Sequence, residues 1–222
     1  MLYLVPTPVG NRSDMTPRAI EVLRQVDLIA AEDTRVSGPY LRSLGIEAPL
    51  QSYHNNNEHQ MTQVLLDKLR GGADLAIVTD AGTPGISDPG FLLVRACREA
   101  GIEVIALPGA TAFVPALVSS GLPAEKFFFQ GFLPLKKGRK TQLAWLSQLP
   151  CTVVLYESPH RLIRCLEEIE DSFGPDRRMC ASKEISKLHE QHYYGTVTEV
   201  RSLLAGLSKI QGEWVMCLAG NS

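Results

Sequence analysis

Three stretches of the 222-residue chain combine residue types and spacings that can do chemistry. The densest is Thr79-Asp80-Ala81-Gly82-Thr83-Pro84-Gly85-Ile86-Ser87-Asp88-Pro89-Gly90, with three glycines and two prolines in twelve residues. Such a backbone is stiff and bare, suited to gripping an extended small molecule through its N–H and C=O groups, where a long structural turn is the plainer alternative. Glu32-Asp33-Thr34-Arg35 sets two carboxylates beside a guanidinium. A carboxylate can take a proton from a hydroxyl and an Arg can hold a phosphate through two parallel hydrogen bonds, although the same residues also suit a salt-bridged loop. Lys136-Lys137-Gly138-Arg139-Lys140 gathers four cations, either a solvated surface run or a phosphate-contacting patch. Lys183-Glu184 offers a rival base. His54 with Asn55 to Asn57 can read a base edge or sugar, and a cap on the following helix explains the asparagines almost as well.

Other chemistries fail on spacing. Thr7-Pro8-Val9-Gly10-Asn11 carries one glycine where a dinucleotide fingerprint needs three, and the cations of residues 131–140 lack the phosphate-loop pattern. Ser87 lacks the second glycine of a nucleophile elbow. His189-Glu190-Gln191-His192 misses the spacing that puts two metal ligands one helical turn apart, and the five scattered cysteines contain no C-x-x-C, so neither a metal site nor a disulfide framework is expected.

Positioning these groups requires elements, and the chain supplies short β-rich runs alternating with helical periodicity. Strands are expected at residues 2–6, 28–31, 75–79, 104–107, 127–130, 152–156, 179–182 and 214–218, which indicates an α/β fold with largely parallel sheet. Thr16-Pro17 and Ser158-Pro159 each read as an N-cap followed by Pro at the first helical position, while residues 131–140 read as a loop. The most plausible boundary lies near Pro108-Gly109-Ala110-Thr111, giving α/β domains of residues 1–109 and 110–222 with a ligand cleft where strand-end loops collect.

Composition adds limits. Apolar residues make up 45% and charged residues 21%, an ordinary globular balance that excludes disordered, coiled-coil and collagen-like classes. The net charge of −2 divides unevenly: residues 1–110 hold 9 Lys/Arg against 13 Asp/Glu, whereas residues 111–222 hold 13 against 11. A polyanion would therefore use a local patch, mainly in the second half. No stretch has the length to cross a bilayer and the first residues lack a secretory pattern, so a cytoplasmic protein is expected.

In order along the chain stand Leu4-Val5-Pro6-Thr7-Pro8-Val9-Gly10-Asn11, Ala31-Glu32-Asp33-Thr34-Arg35, Ser52-Tyr53-His54-Asn55-Asn56-Asn57-Glu58, the Asp80 to Gly90 loop, Gly121-Leu122-Pro123, Gly131-Phe132-Leu133-Pro134 and Tyr156-Glu157-Ser158-Pro159-His160-Arg161. Together these motifs resemble the ribosomal RNA small subunit methyltransferase I family, within the tetrapyrrole methylase superfamily. The resemblance implies a two-domain α/β methyltransferase of the tetrapyrrole methylase type, usually a homodimer, binding S-adenosylmethionine between its domains. It implies 2′-O-methylation of a cytidine in 16S rRNA, presented in the small ribosomal subunit, rather than methylation of a tetrapyrrole carbon. Carried over by motif, Pro8 borders the cofactor, Asp80, Gly82, Thr83 and Ile86 hold its polar tail, and Thr111 and Ala112 line the opposite wall, with Tyr156, Ile185 and Glu213 as second-domain contacts. Glu32, Asp33, Arg35 and Glu184 are then the catalytic candidates, and His54, Lys136, Lys137, Arg139 and Lys140 the RNA-binding ones. Two features depart from the family pattern: Pro108-Gly109-Ala110-Thr111 stands where Pro-Gly-Pro-Ser is common, and many relatives carry an additional short C-terminal domain.

Overall fold

The structure, a computed structural model, describes residues 1–221. The chain forms two compact units, Met1–Thr111 and Ala112–Ser222.

The first unit runs β1 (Leu2–Leu4), α1 (Pro17–Gln25), β2 (Leu28–Ala31), α2 (Thr34–Ser43), β3 (Leu50–Ser52), α3 (Glu58–Arg70), β4 (Leu75–Val78), α4 (Phe91–Glu99) and β5 (Val104–Ala106). Its sheet has the order β3-β2-β4-β1-β5, with every neighbouring pair parallel. All four residues of β4 are buried, as expected of a central parallel strand covered on both faces. One face packs Ile29, Ala76 and Val78 against Leu23 and Leu41, and the other packs Leu75 and Ile77 against Leu65, Leu93 and Cys97. The Thr16 side chain accepts the Ala19 N–H and Pro17 opens α1, so this cap forms as the sequence indicates. Because the strands are parallel, the segments leaving β1, β2, β3, β4 and β5 all emerge at the same edge.

The second unit runs α5 (Phe113–Ser119), β6 (Phe127–Phe132), α6 (Arg139–Leu146), β7 (Thr152–Glu157), α7 (Leu162–Phe173), β8 (Arg178–Lys183), β9 (Gln191–Thr196), α8 (Val197–Ala205) and β10 (Trp214–Leu218). Its sheet order is β6-β7-β10-β8-β9. Here the expectation of parallel strands is corrected: β6 and β7 are parallel, but β10 is antiparallel to both β7 and β8, and β9 is antiparallel to β8. The connection between β8 and β9 is too short for the crossover that parallel pairing requires. Leu162, Cys165, Leu166, Ile169 and Phe173 form the buried stripe of α7 against Val153, Leu155, Met216 and Leu218.

Two further expectations are corrected. Ser158-Pro159 does not cap α7; the Ser158 carbonyl accepts the Arg161 N–H in a turn, and the helix starts at Leu162. Residues 131–140 are not one loop, since Gly131 and Phe132 complete β6 while Arg139 and Lys140 open α6. Among the described residues no helix is long and apolar enough to cross a membrane.

Candidate functional site

The strand-end loops of the first unit are tied into one assembly. Thr7 and Gly82 exchange backbone hydrogen bonds, each 2.9 Å, and the Thr7 hydroxyl donates to the Thr79 carbonyl at 2.9 Å. The Thr83 hydroxyl donates to the Ala110 carbonyl at 3.0 Å, which links the loop after β4 to the segment after β5. A Cβ on Gly109 would stand 2.7 Å from Cβ of Pro6, so glycine allows the two strand ends to meet. Within the loop the Gly85 N–H donates to the Pro89 carbonyl, and Gly82 and Gly85 have φ of +87° and +83°. Nothing lies within 4 Å of where a Gly85 Cβ would be, so the backbone there is open to an approaching molecule. Asp80 and Ile86 are exposed, while Pro8 and Thr83 are half-buried, around this bare stretch.

The acidic groups lie beside it. The Asp80 N–H donates to Glu32 Oε2 and the Asp33 N–H donates to Asp80 Oδ1, both at 3.3 Å. Asp33 caps α2 by accepting the Arg35 N–H, and its Oδ2 lies 2.6 Å from Arg35 Nη2. That guanidinium holds the Asp33 carboxyl down at about 2, whereas burial pushes Glu32 up. Of the two, Glu32 is therefore the better proton acceptor and Asp33 the group that orients Arg35. Asp88, which spacing did not single out, is pushed up to about 7 by burial, reinforced by the charges of Glu32 and Asp80. His54 follows β3; its N–H donates to Asn57 Oδ1 at 2.8 Å, and its buried Nδ1 has no hydrogen-bond partner among the described residues. The Asn57 side chain thus ties the loop, accepting from His54 and donating to the Ser52 carbonyl, rather than bonding the first turn of α3.

In the second unit Glu184, Ile185 and Glu213 come together. Lys187 Nζ lies 2.9 Å from both Glu184 Oε1 and Glu213 Oε2, and the Glu213 N–H donates to Glu184 Oε1. Burial raises the Glu184 pKa, but the Glu213 N–H and Lys187 outweigh it and the net shift is downward. Its Oε1 is committed to these partners and its pKa is lowered, so Glu184 fixes a loop and is a poorer proton acceptor than its place after β8 suggested. Glu184 and Ser186 both adopt left-handed backbone, with φ of 54° and 64°, and the Ser186 N–H is held by Glu190 Oε2 at 2.7 Å. Ile185 between them is buried. Tyr156 stands edge-on to the rings of Phe129 and Phe132, Thr111 is half-buried at the end of the first unit, and Ala112 precedes α5.

The four cations of residues 136–140 do not behave alike. Lys136, Lys137 and Lys140 are exposed. Arg139 is not: its side chain is 7% exposed and pairs with Glu157 at 3.2 Å and with Glu168. It is therefore a core ion pair, which corrects its place among the phosphate contacts. Among the described residues no cluster of three or more His, Cys, Asp or Glu could hold a metal ion.

A two-unit α/β chain with tied strand-end loops and a bare glycine turn is the architecture of a methylase class: the family model for tetrapyrrole (corrin/porphyrin) methylases matches residues 1–201. The chain is 50% identical over 222 residues to "Ribosomal RNA small subunit methyltransferase I" of Synechocystis sp., covering 99% of this chain and 79% of that protein. The Haemophilus influenzae protein of the same name is 45% identical, with 99% and 78% covered. The chain thus belongs to the ribosomal RNA small subunit methyltransferase I family of tetrapyrrole methylases. Among solved structures, the methyltransferase CobJ superposes with a TM-score of 0.73 at 18% identity, covering 100% of this chain and 94% of that one. Uroporphyrin-III C-methyl transferase from Thermus thermophilus, complexed with S-adenyl homocysteine, superposes at 0.64 with 20% identity, covering 98% and 96%. These likenesses concern the fold.

Proposed function

We propose that the chain is an S-adenosylmethionine-dependent methyltransferase that modifies the 2′-hydroxyl of a cytidine in 16S rRNA within the small ribosomal subunit, acting as a cytoplasmic homodimer. The observation that carries this reading is the 50% identity, over 222 residues, to a protein named for that class of activity.

The residues present fit the cofactor. Its amino acid tail needs a backbone that side chains do not screen: the bonds of Gly82 to Thr7 and of the Gly85 N–H to Pro89 fix the loop, and the exposed Gly85, with open space where a Cβ would stand, leaves its carbonyl side open to the tail. Pro8, Asp80, Gly82, Thr83 and Ile86 would hold it. When bound, the cofactor supplies an electrophilic methyl group on a sulfonium, and the protein supplies orientation and electrostatics. Asp33 fixes Arg35, whose guanidinium is otherwise exposed and free to grip a phosphate of the substrate strand. Glu32, raised by burial, is placed to accept a hydroxyl proton, an effect worth about 10²–10⁴-fold in rate.

The test is transfer of labelled methyl from S-adenosylmethionine to small subunits from a strain lacking the modification, alongside naked 16S rRNA and a porphyrinogen. One alkali-resistant 2′-O-methyl cytidine per subunit is expected. Label in the porphyrinogen instead, or in none of the three, overturns the reading.

A further inference from the structure

One aromatic side chain is aimed by a backbone irregularity and then left uncovered. In an uninterrupted strand, residues three apart point to opposite faces. Phe129 and Phe132 nevertheless share a face: both rings meet Tyr156, with centroids 5.1 Å and 5.6 Å away. The cause is a bulge. The β6–β7 register shifts between Phe129 and Gly131, so that Phe129 pairs with Val154 and Phe132 with Tyr156. Gln130 is the extra residue, without a β7 partner, and Gly131 beside it takes a left-handed φ of +67°. The opposite face carries Val153 and Leu155 into the core, where Phe132 would lie hidden without the bulge. Instead it is 51% exposed.

The segment that follows brings positive charge to the same place. Arg139 donates to the Pro134 carbonyl and to Glu157, the residue after Tyr156, so residues 134–139 are pinned against the end of β7. The exposed Lys136, Lys137 and Lys140 flank that pin. An open ring followed, on the same pinned segment, by three exposed lysines suits an unpaired nucleobase stacked on an aromatic face while neighbouring phosphates meet lysines.

We infer that Phe132 is a base-stacking residue for single-stranded RNA and that Lys136, Lys137 and Lys140 hold the adjoining phosphates. This rests on the proposed rRNA methylation and names how the strand is held. A duplex would offer no base face to the ring, so the segment bound here is unpaired.

The probe is a short single-stranded RNA carrying 2-aminopurine, titrated with the full chain, with methyl transfer to small subunits measured in parallel. The parent protein should quench the fluorescence. Phe132→Ala should bind about tenfold more weakly, lose the quench and keep the salt slope, whereas Phe132→Trp keeps all three. Replacing Lys136, Lys137 and Lys140 by Ala should flatten the salt slope and keep the quench. Equal affinity and quench for Phe132→Ala and parent overturns the inference even when methyl transfer proceeds. So does a Phe132→Ala variant whose self-association changes while its RNA binding does not, because the ring is then a protein contact. A parent that methylates no subunits rejects the functional reading itself.

Discussion

Arg139 Nη2 lies 3.2 Å from Glu157 Oε2, and the two side chains are only 7% and 1% exposed. Neither charge has water to fall back on. Glu157 keeps Arg161 at 2.7 Å and the Ser158 N–H on its other oxygen, so Arg139→Ala should cost about 1.5–3 kcal/mol in urea unfolding, the loss of one charged partner from a buried carboxylate. Arg139→Met combined with Glu157→Gln, which removes both charges, should lose less. Burial raises the Glu168 pKa, but Arg139 outweighs it and the carboxyl is held below its ordinary value of 4.5. Its contribution is complete above that value and is lost as pH falls through the lowered one, so the deficit of Arg139→Ala should shrink in acid.

Asp88 titrates in the opposite sense. Its carboxyl is raised from 3.8 to about 7, so between those values the folded chain holds a proton that the unfolded chain releases. Stability should therefore fall as pH rises through this window and stay lower above it. Asp88→Asn should unfold at higher urea than the parent at pH 8, with the difference closing towards pH 4.

Asp33 and Arg35 carry the prediction for chemistry. Arg35→Ala should lower methyl transfer by about 10²-fold or more while calorimetry shows cofactor affinity unchanged, since the pair is assigned to the substrate. Asp33→Ser keeps an oxygen for the α2 cap but removes the ion pair, so it should reproduce the loss of transfer without the roughly 0.5–2 kcal/mol that losing the cap costs. Lost cofactor binding in Arg35→Ala would move the pair to the cofactor side.

Lys187 holds the loop after β8. Glu184 and Ser186 are left-handed, a conformation that costs about 1–3 kcal/mol at each such residue and persists only under restraint. Lys187→Ala removes the bridge to Glu184 and Glu213, so the Ile185 and Ser186 amides should exchange with solvent faster while amides of β10 do not change. Lys187→Arg should restore protection. Uniform exchange in all three proteins would remove Lys187 from this role.

What the sequence made legible followed burial. Residues 28–31 and 214–218 form strands at the expected bounds, because continuous apolar runs between turn residues leave little choice. β3 was missed because it has three residues, all half-buried, and β9 because Gln191-His192-Tyr193-Tyr194-Gly195-Thr196 is a largely exposed edge without apolar alternation. The glycine and proline loop and the Glu32 to Arg35 acids could be found as residue types. The value of Asp88, the burial of Arg139 and the aim of Phe132 could not, for each depends on neighbours distant in sequence or on a one-residue slip that spacing does not encode. Strand direction in the second sheet is likewise a long-range property.

That direction bears on how the chain is made. β10 lies at the centre of its sheet, between β7 and β8, although it is the last strand described. The first sheet is complete once residue 106 has been added, whereas the second has a gap at its middle until residue 218 arrives. During synthesis the amino-terminal half can settle early, and β7 and β8 must wait with unpaired edges, an interval in which the nascent protein is most exposed to mispairing and most in need of a chaperone.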